Sequence, residues 1–216
     1  MAAQKPRTLG AVLYPQFELL DLYGPLEMLG SLGKHLRIVT VAEQAGPVAS
    51  AQGPATLAEH GFADAPRLDL VLVPGGIGTF PQLANEAMLE FLRKRAAEAE
   101  LMLSVCTGSA LLAKAGLLDG RRATSNKQFF DLAKQQGPKT EWISEARWVH
   151  DGKFVTASGV SAGTDMALGV IAGLYGRSVA EQIAALTEYE WQSDPARDPF
   201  AKFLNQGKLA VELGVS

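Results

Sequence analysis

A single cysteine, Cys106, closes the apolar run Leu101-Met102-Leu103-Ser104-Val105 and is followed at once by Thr107-Gly108-Ser109. The run reads as a buried strand, and the small polar residues behind it read as the opening of a helix. A thiol on such a turn is placed for nucleophilic chemistry. The turn needs small neighbours two residues to either side, and Ser104 and Gly108 are those neighbours. The unpaired N–H groups and positive end of a helix opening at Thr107 favour thiolate over thiol, so a lowered cysteine pKa is expected. The backbone amides beside the thiol suit a developing anion, as in the nucleophile elbow of hydrolases. The competing reading, a small buried hydrophobe, is weakened because the apolar run stops at the cysteine.

Two further stretches carry polar groups into apolar surroundings. Gln16-Phe17-Glu18-Leu19-Leu20-Asp21 places two carboxylates ahead of Leu22-Tyr23-Gly24-Pro25-Leu26. Pro25 is tolerable near a helix start, and Leu22, Leu26 and Leu29 share one helical face, so a helix opens close to Asp21. Asp21 is then either its N-cap or an acid for chemistry, whereas Glu18 reads as a solvated loop carboxylate. The third stretch, Pro74-Gly75-Gly76-Ile77-Gly78, follows an apolar strand and matches neither a dinucleotide fingerprint nor a phosphate loop. It reads as a turn whose N–H groups hold an anion.

These residues need a scaffold that brings them to one edge. Leu9 to Tyr14, Leu36 to Ala42, Asp69 to Val73 and Leu101 to Val105 read as buried strands, with amphipathic helices over 82–98, 109–115 and 127–135. An irregular hairpin is expected over 46–57 and a short strand at Ala123-Thr124-Ser125. A second hairpin, Glu141 to His150 with Lys153 to Thr156, turns at Asp151-Gly152. A helix follows through Met166 to Leu174, its first-turn Asp165 favouring the helix dipole. Another runs from Val179 to Trp191, with Ser178 as its cap, and a last amphipathic segment closes the chain. Arg93-Lys94-Arg95 reads as a solvated helix face, His60 as a surface residue and His150 as structural. In a parallel α/β sheet the loops after the strands gather at one edge. Asp21, Gly75, Gly76 and Cys106 would meet there.

The 216 residues, 47% hydrophobic and 20% charged, fit one ordinary globular α/β domain. A formal charge of -3 argues against nucleic acid as an obligatory partner. One cysteine forms no internal disulfide, and no apolar run reaches membrane-spanning length or resembles a signal peptide, so a cytoplasmic location is expected.

With Cys106 on its elbow, Asp21 after the first strand and Pro74-Gly75-Gly76 after the third, the chain resembles the DJ-1/PfpI superfamily over nearly its whole length. Leu20-Asp21-Leu22-Tyr23-Gly24-Pro25, Ser104 to Ser109 and Gly159-Val160-Ser161-Ala162-Gly163-Thr164-Asp165 are most similar to the isocyanide hydratase branch. The resemblance implies a flavodoxin-like α/β sandwich of the class I glutamine amidotransferase type, with a mostly parallel sheet between helices. It also implies a homodimer and a cysteine paired with an acid, with a small-molecule substrate and neither metal nor cofactor. Carried to this chain, Cys106 attacks the terminal carbon of an isocyanide while Asp21 supplies or shuttles the proton. Water then releases an N-substituted formamide, with N–H groups near Gly76 and Thr107 steadying the intermediate and Val160 walling the pocket.

One departure stands out. Where members of the superfamily often carry a histidine, this chain has Asn126, which is no base at neutral pH, so a Cys-His hydrolase is disfavoured. The chain also departs from the hydratase branch around Ser193-Asp194-Pro195. Two other classes compete: a redox sensor in which Cys106 is oxidised, and a ligand-binding module related to the amidase-like domains of AraC-type regulators. No appended helix-turn-helix domain is expected within these residues.

Overall fold

The computed structural model describes residues 6–207. The far end of the expected last amphipathic segment, 208–216, lies outside the described residues, as do 1–5.

In chain order the elements are β1 (Arg7–Val12), α1 (Leu19–Gly30), β2 (Leu36–Ala42), β3 (Gly46–Ala49), β4 (Ala55–Ala58), β5 (His60–Gly61), β6 (Leu70–Val73), α2 (Thr79–Gln82) and α3 (Glu86–Glu98). Then come β7 (Leu101–Val105), α4 (Gly108–Lys114), β8 (Arg122–Ala123), α5 (Phe130–Gln136), β9 (Glu141–Trp142), β10 (Trp148–Asp151), β11 (Phe154–Ala157), α6 (Ala162–Tyr175) and α7 (Arg177–Leu186). Seven strands form one sheet in the order β10-β11-β7-β6-β1-β2-β5, parallel throughout except for β10 at the edge. β6 and β7 are wholly buried, which is why they read as unbroken apolar runs rather than alternating ones.

The connections fix the layers. The crossover from β1 to β2 runs toward one edge of the sheet and those from β6 to β7 and β7 to β11 toward the other. Right-handed crossovers therefore put α1 and α3 on opposite faces, with α6 and α7 packed beside α1 and with α4 and α5 on the α3 side. The direction reverses between β1 and β6, so the crevice beyond their carboxyl ends is where such a sheet binds ligands. The architecture is the expected flavodoxin-like sandwich.

Several boundaries differ from the sequence reading. α1 begins at Leu19, so Asp21 lies in its first turn rather than capping it, and Pro25 lies inside the helix. The proline has no N–H for the Asp21 carbonyl. The helix expected over 82–98 is divided at Asn85, whose side chain caps α3 by accepting from the N–H groups of Ala87 and Met88. α5 starts at Phe130 rather than residue 127, because Asn126 Oδ1 holds the preceding residues in a turn by accepting from the N–H groups of Gln128 and Phe129. The second hairpin is confined to β10 and β11; Glu141-Trp142 pairs in parallel with Arg122-Ala123 instead. Ser178 lies within α7 and caps nothing, since Gly176 at φ +97 makes the break before that helix, and Glu188 at φ +50 follows its end. Arg95 is not solvated: it is 5% exposed, with its guanidinium over the Phe91 ring and bonded to the Ala65 carbonyl.

Candidate active site

Cys106 leaves β7 with φ +58, a left-handed conformation that a side chain adopts at a cost of about 1–2 kcal/mol. The surroundings hold it there. Its N–H faces the carbonyls of Ala157 and Ser158 at 3.2 and 2.9 Å, and its own carbonyl accepts from the hydroxyls of Ser109 and Ser125 at 3.0 and 3.1 Å. The elbow is tight, as expected: a Cβ on Gly108 would strike the carbonyl oxygens of Val73 and Pro74. Ser104, expected as the other small neighbour, is fully buried.

Asp21 has no exposed surface, and its Oδ2 accepts from the Gly75 N–H at 2.8 Å while Oδ1 has no hydrogen-bond partner. Gly75 is glycine for a reason visible in space. A Cβ there would fall 2.6 Å from the Thr107 N and 2.9 Å from Asp21 Oδ2, so the missing side chain lets acid, elbow and turn close on one another. Gly76, at φ +125, abuts the 16–18 backbone in the same way.

The amides of this turn are committed differently from the sequence expectation. The Gly75 N–H holds the acid and the Gly76 N–H donates to Thr107 Oγ1 at 3.1 Å, so neither is a free anion donor. The groups turned on the sulfur are the Thr107 N–H and Asn126 Nδ2, the latter 3.0 Å from Sγ. Asn126 is thereby more than the absence of a histidine. Its Oδ1 is occupied by two backbone N–H groups, which fixes the amide so that its NH₂ faces the thiol. Gly159 leaves room for that approach.

Behind the turn runs a buried chain of hydroxyls that the sequence did not disclose. Tyr14 donates to the Pro74 carbonyl at 2.6 Å and lies 3.1 Å from Thr79 Oγ1, which is 2.9 Å from Thr107 Oγ1. The only hint was Tyr14 itself, a polar tip at the end of an apolar strand.

Burial pushes the Asp21 carboxyl well above the usual carboxylate range, and the Glu18 charge adds to this; the Gly75 bond and the nearby thiol act the other way. Burial also pushes the Cys106 thiol up, reinforced by Asp21, against the Thr107 and Asn126 donors. The lowered thiol pKa expected from a helix N-terminus is thus reversed. α4 is only seven residues long, and its first turn does not offset removal of the sulfur from water beside a carboxylate. Burial disfavours the charged form of both acid and thiol.

The sulfur opens onto a cavity of about 400 Å³. Ile77, Phe80, Phe129 and Val160 make apolar walls, with Thr107 and Asn126 at the floor and Glu18 and Gln52 on the polar side. Glu18 is half-buried there and accepts from Gln52 Nε2 at 2.7 Å, rather than being a simple solvated carboxylate. His35, His60 and His150 are absent from the lining. Among the described residues no group of three or more His, Cys, Asp or Glu could hold a metal ion, and no helix is long and apolar enough to cross a membrane.

Asp165, read as a dipole partner, has a different role. It is buried with Oδ2 2.6 Å from both Nε and Nη2 of Arg147, and Oδ1 accepts from the Tyr189 hydroxyl and the Gln192 N–H.

Comparison with known proteins agrees with the fold. The model of the DJ-1/PfpI family matches residues 10–173. An isonitrile hydratase from Pseudomonas putida is 38% identical over 84% of this chain and 78% of its own length. A helix-turn-helix type transcriptional regulator, GbdR, from Pseudomonas aeruginosa is 30% identical over 95% of this chain, which spans only 58% of the regulator. A crystal structure of a ThiJ/PfpI family protein from Pseudomonas syringae aligns with a TM-score of 0.78 at 36% identity, covering 86% of this chain and 76% of that one.

Proposed function

Because the chain belongs to the DJ-1/PfpI family, we propose that it is a cofactor-free cysteine enzyme that hydrates a small isocyanide to an N-substituted formamide. The observation that carries the reading is the buried pair itself. Asp21 is held at one oxygen, left unpartnered at the other and placed near a thiol whose ionisation burial opposes. Such a pair suits a reaction in which sulfur and hydrogen both add to one carbon. The similarity to an isonitrile hydratase supports the choice of substrate.

In the proposed sequence the isocyanide enters with its N-substituent against Ile77, Phe80, Phe129 and Val160. Cys106 Sγ bonds to the terminal carbon, and the thiol proton passes through Asp21 to that same carbon, giving an S-bound thioimidate. Water adds to this carbon and delivers a proton to nitrogen. The C–S bond then breaks, sulfur regains a proton, and the formamide leaves. The Thr107 N–H and the Asn126 amide stabilise charge on sulfur as it attacks and departs.

The test is formation of formamide from several alkyl and aryl isocyanides by the purified protein, with mass spectrometry for a substrate adduct on Cys106. Turnover lost in Cys106→Ala, with no adduct, is expected. A wild-type protein that converts none of them overturns the reading. A second reading, saturable ligand binding without turnover, is favoured by the identity to GbdR over 95% of the chain. Calorimetric binding of isocyanides with no product would select it.

A further inference from the structure

The Asn126 amide reaches the sulfur only while the turn from Asn126 to Phe129 keeps its place, and that turn rests on charges buried beneath it. Lys127, next in sequence, is 2% exposed; its Nζ donates to Thr124 Oγ1 at 2.8 Å and to the Ala146 carbonyl at 2.6 Å. On its other side stands Asp198, 6% exposed, with Oδ2 3.7 Å from Lys127 Nζ and Oδ1 3.6 Å from Arg147 Nη1. Arg147 in turn is paired with Asp165. Two cations and two anions compensate one another below the site.

The same stretch of chain is stitched to the turn through the backbone. The Asp198 N–H donates to the Glu145 carbonyl at 2.9 Å, the Asn205 N–H to the Lys127 carbonyl at 2.8 Å and the Gly207 N–H to the Gln128 carbonyl at 3.1 Å. Asn205 Oδ1 accepts from the Asp131 N–H at 2.9 Å. Residues 195–207 therefore form a strap across the back of the turn that lines the cavity. The family match ends at residue 173, so the strap lies outside the part of the chain that the family model covers.

We propose that Lys127 and Asp198 are positioning residues for Cys106: by clamping the 195–207 strap beneath the Asn126 turn, they hold the Asn126 amide on the sulfur. An apolar contact would fill the same space. A lysine fixed between two oxygen acceptors and a carboxylate admits one register of strap against turn, which a donor 3.0 Å from sulfur requires.

The test uses the intact protein and reads the thiol rather than turnover, so it stands whether or not isocyanides are substrates. The rate of Cys106 alkylation by iodoacetamide is followed against pH in wild type, Asn126→Ala, Asp198→Asn and the double variant. Loss of the Asn126 donor slows alkylation roughly tenfold or more and raises its midpoint, the effect of one hydrogen bond to a charged atom. Asp198→Asn is expected to shift rate and midpoint in the same direction, and the double variant to be no slower than Asn126→Ala alone. A merely structural role lowers the melting temperature but leaves thiol titration unchanged, or multiplies with Asn126→Ala; either result overturns the proposal. If Asp198→Asn does not fold, Asn205→Gly carries the comparison. It keeps the positive φ of an exposed residue and removes only the acceptor for Asp131, and a smaller shift in the same direction is expected.

Discussion

Asp21 and Cys106 hold more protons in the folded chain than in an unfolded one, and activity and stability should separate at this pair. A carboxyl whose folded pKa is raised contributes stability that is present below its unfolded pKa and is lost as pH rises through the folded value. At neutral pH the burial of Asp21 therefore opposes folding. Asp21→Asn should raise the melting temperature at pH 7, by roughly 2–4 °C for each 1 kcal/mol recovered, while lowering turnover by about 10²–10⁴-fold through loss of the proton shuttle. Thermal melts at pH 5 and pH 7 check the sign: the gain shrinks at the lower pH. The same substitution removes the charge that pushes the thiol up, so the alkylation midpoint of Cys106 should fall. The two members of the pair were legible as an acid after the first strand and a thiol after the fourth. Their mutual effect was not, because the sign depends on how much water each loses, and a helix start predicts the opposite.

The strand-to-helix turn at Cys106 stores its strain in one residue. With φ at +58, glycine should be tolerated there better than alanine, so Cys106→Gly is expected to be more stable than Cys106→Ala by about 1 kcal/mol, measured by urea unfolding. Gly75→Ala is expected to do the reverse of a stabilising helix-type substitution. Its Cβ lands on the Thr107 amide and the Asp21 carboxylate, so turnover should fall together with stability even though no reacting atom is removed. Strand positions followed from unbroken apolar runs, because both faces of a central parallel sheet are covered. Helix limits were less readable where a side chain, not propensity, decides them: Asn126 holds α5 back and Asn85 starts α3. The hydroxyl chain from Tyr14 through Thr79 to Thr107 joins residues 65 and then 28 positions apart. No local period encodes that proximity.

Across the whole molecule, the order of the strands and the charges under the site do different work. Reversal of direction between β1 and β6 creates the crevice, and the buried quartet of Lys127, Arg147, Asp165 and Asp198 ties the far end of the chain to it. Burial holds the Lys127 ammonium down at about 8, against the pull of Asp198. Between that value and the ordinary lysine range the unfolded chain binds the extra proton, so stability should rise with pH there by at most about 1.4 kcal/mol per pH unit. Lys127→Met should abolish that rise when denaturant unfolding is compared at pH 8 and pH 10. The quartet was not foreseen, since its members are spread over some seventy residues and each, taken singly, resembles a surface charge or a helix-dipole partner. Finally, the fold leaves Asp21 with no exposed surface. The neighbouring sulfur, which faces the cavity, gives the Asp21 hydrogen a route outward. If protein equilibrated in light water is mixed with substrate in deuterium oxide, the first formyl group made should carry protium at carbon and later ones deuterium, so the product itself records how well the interior is isolated.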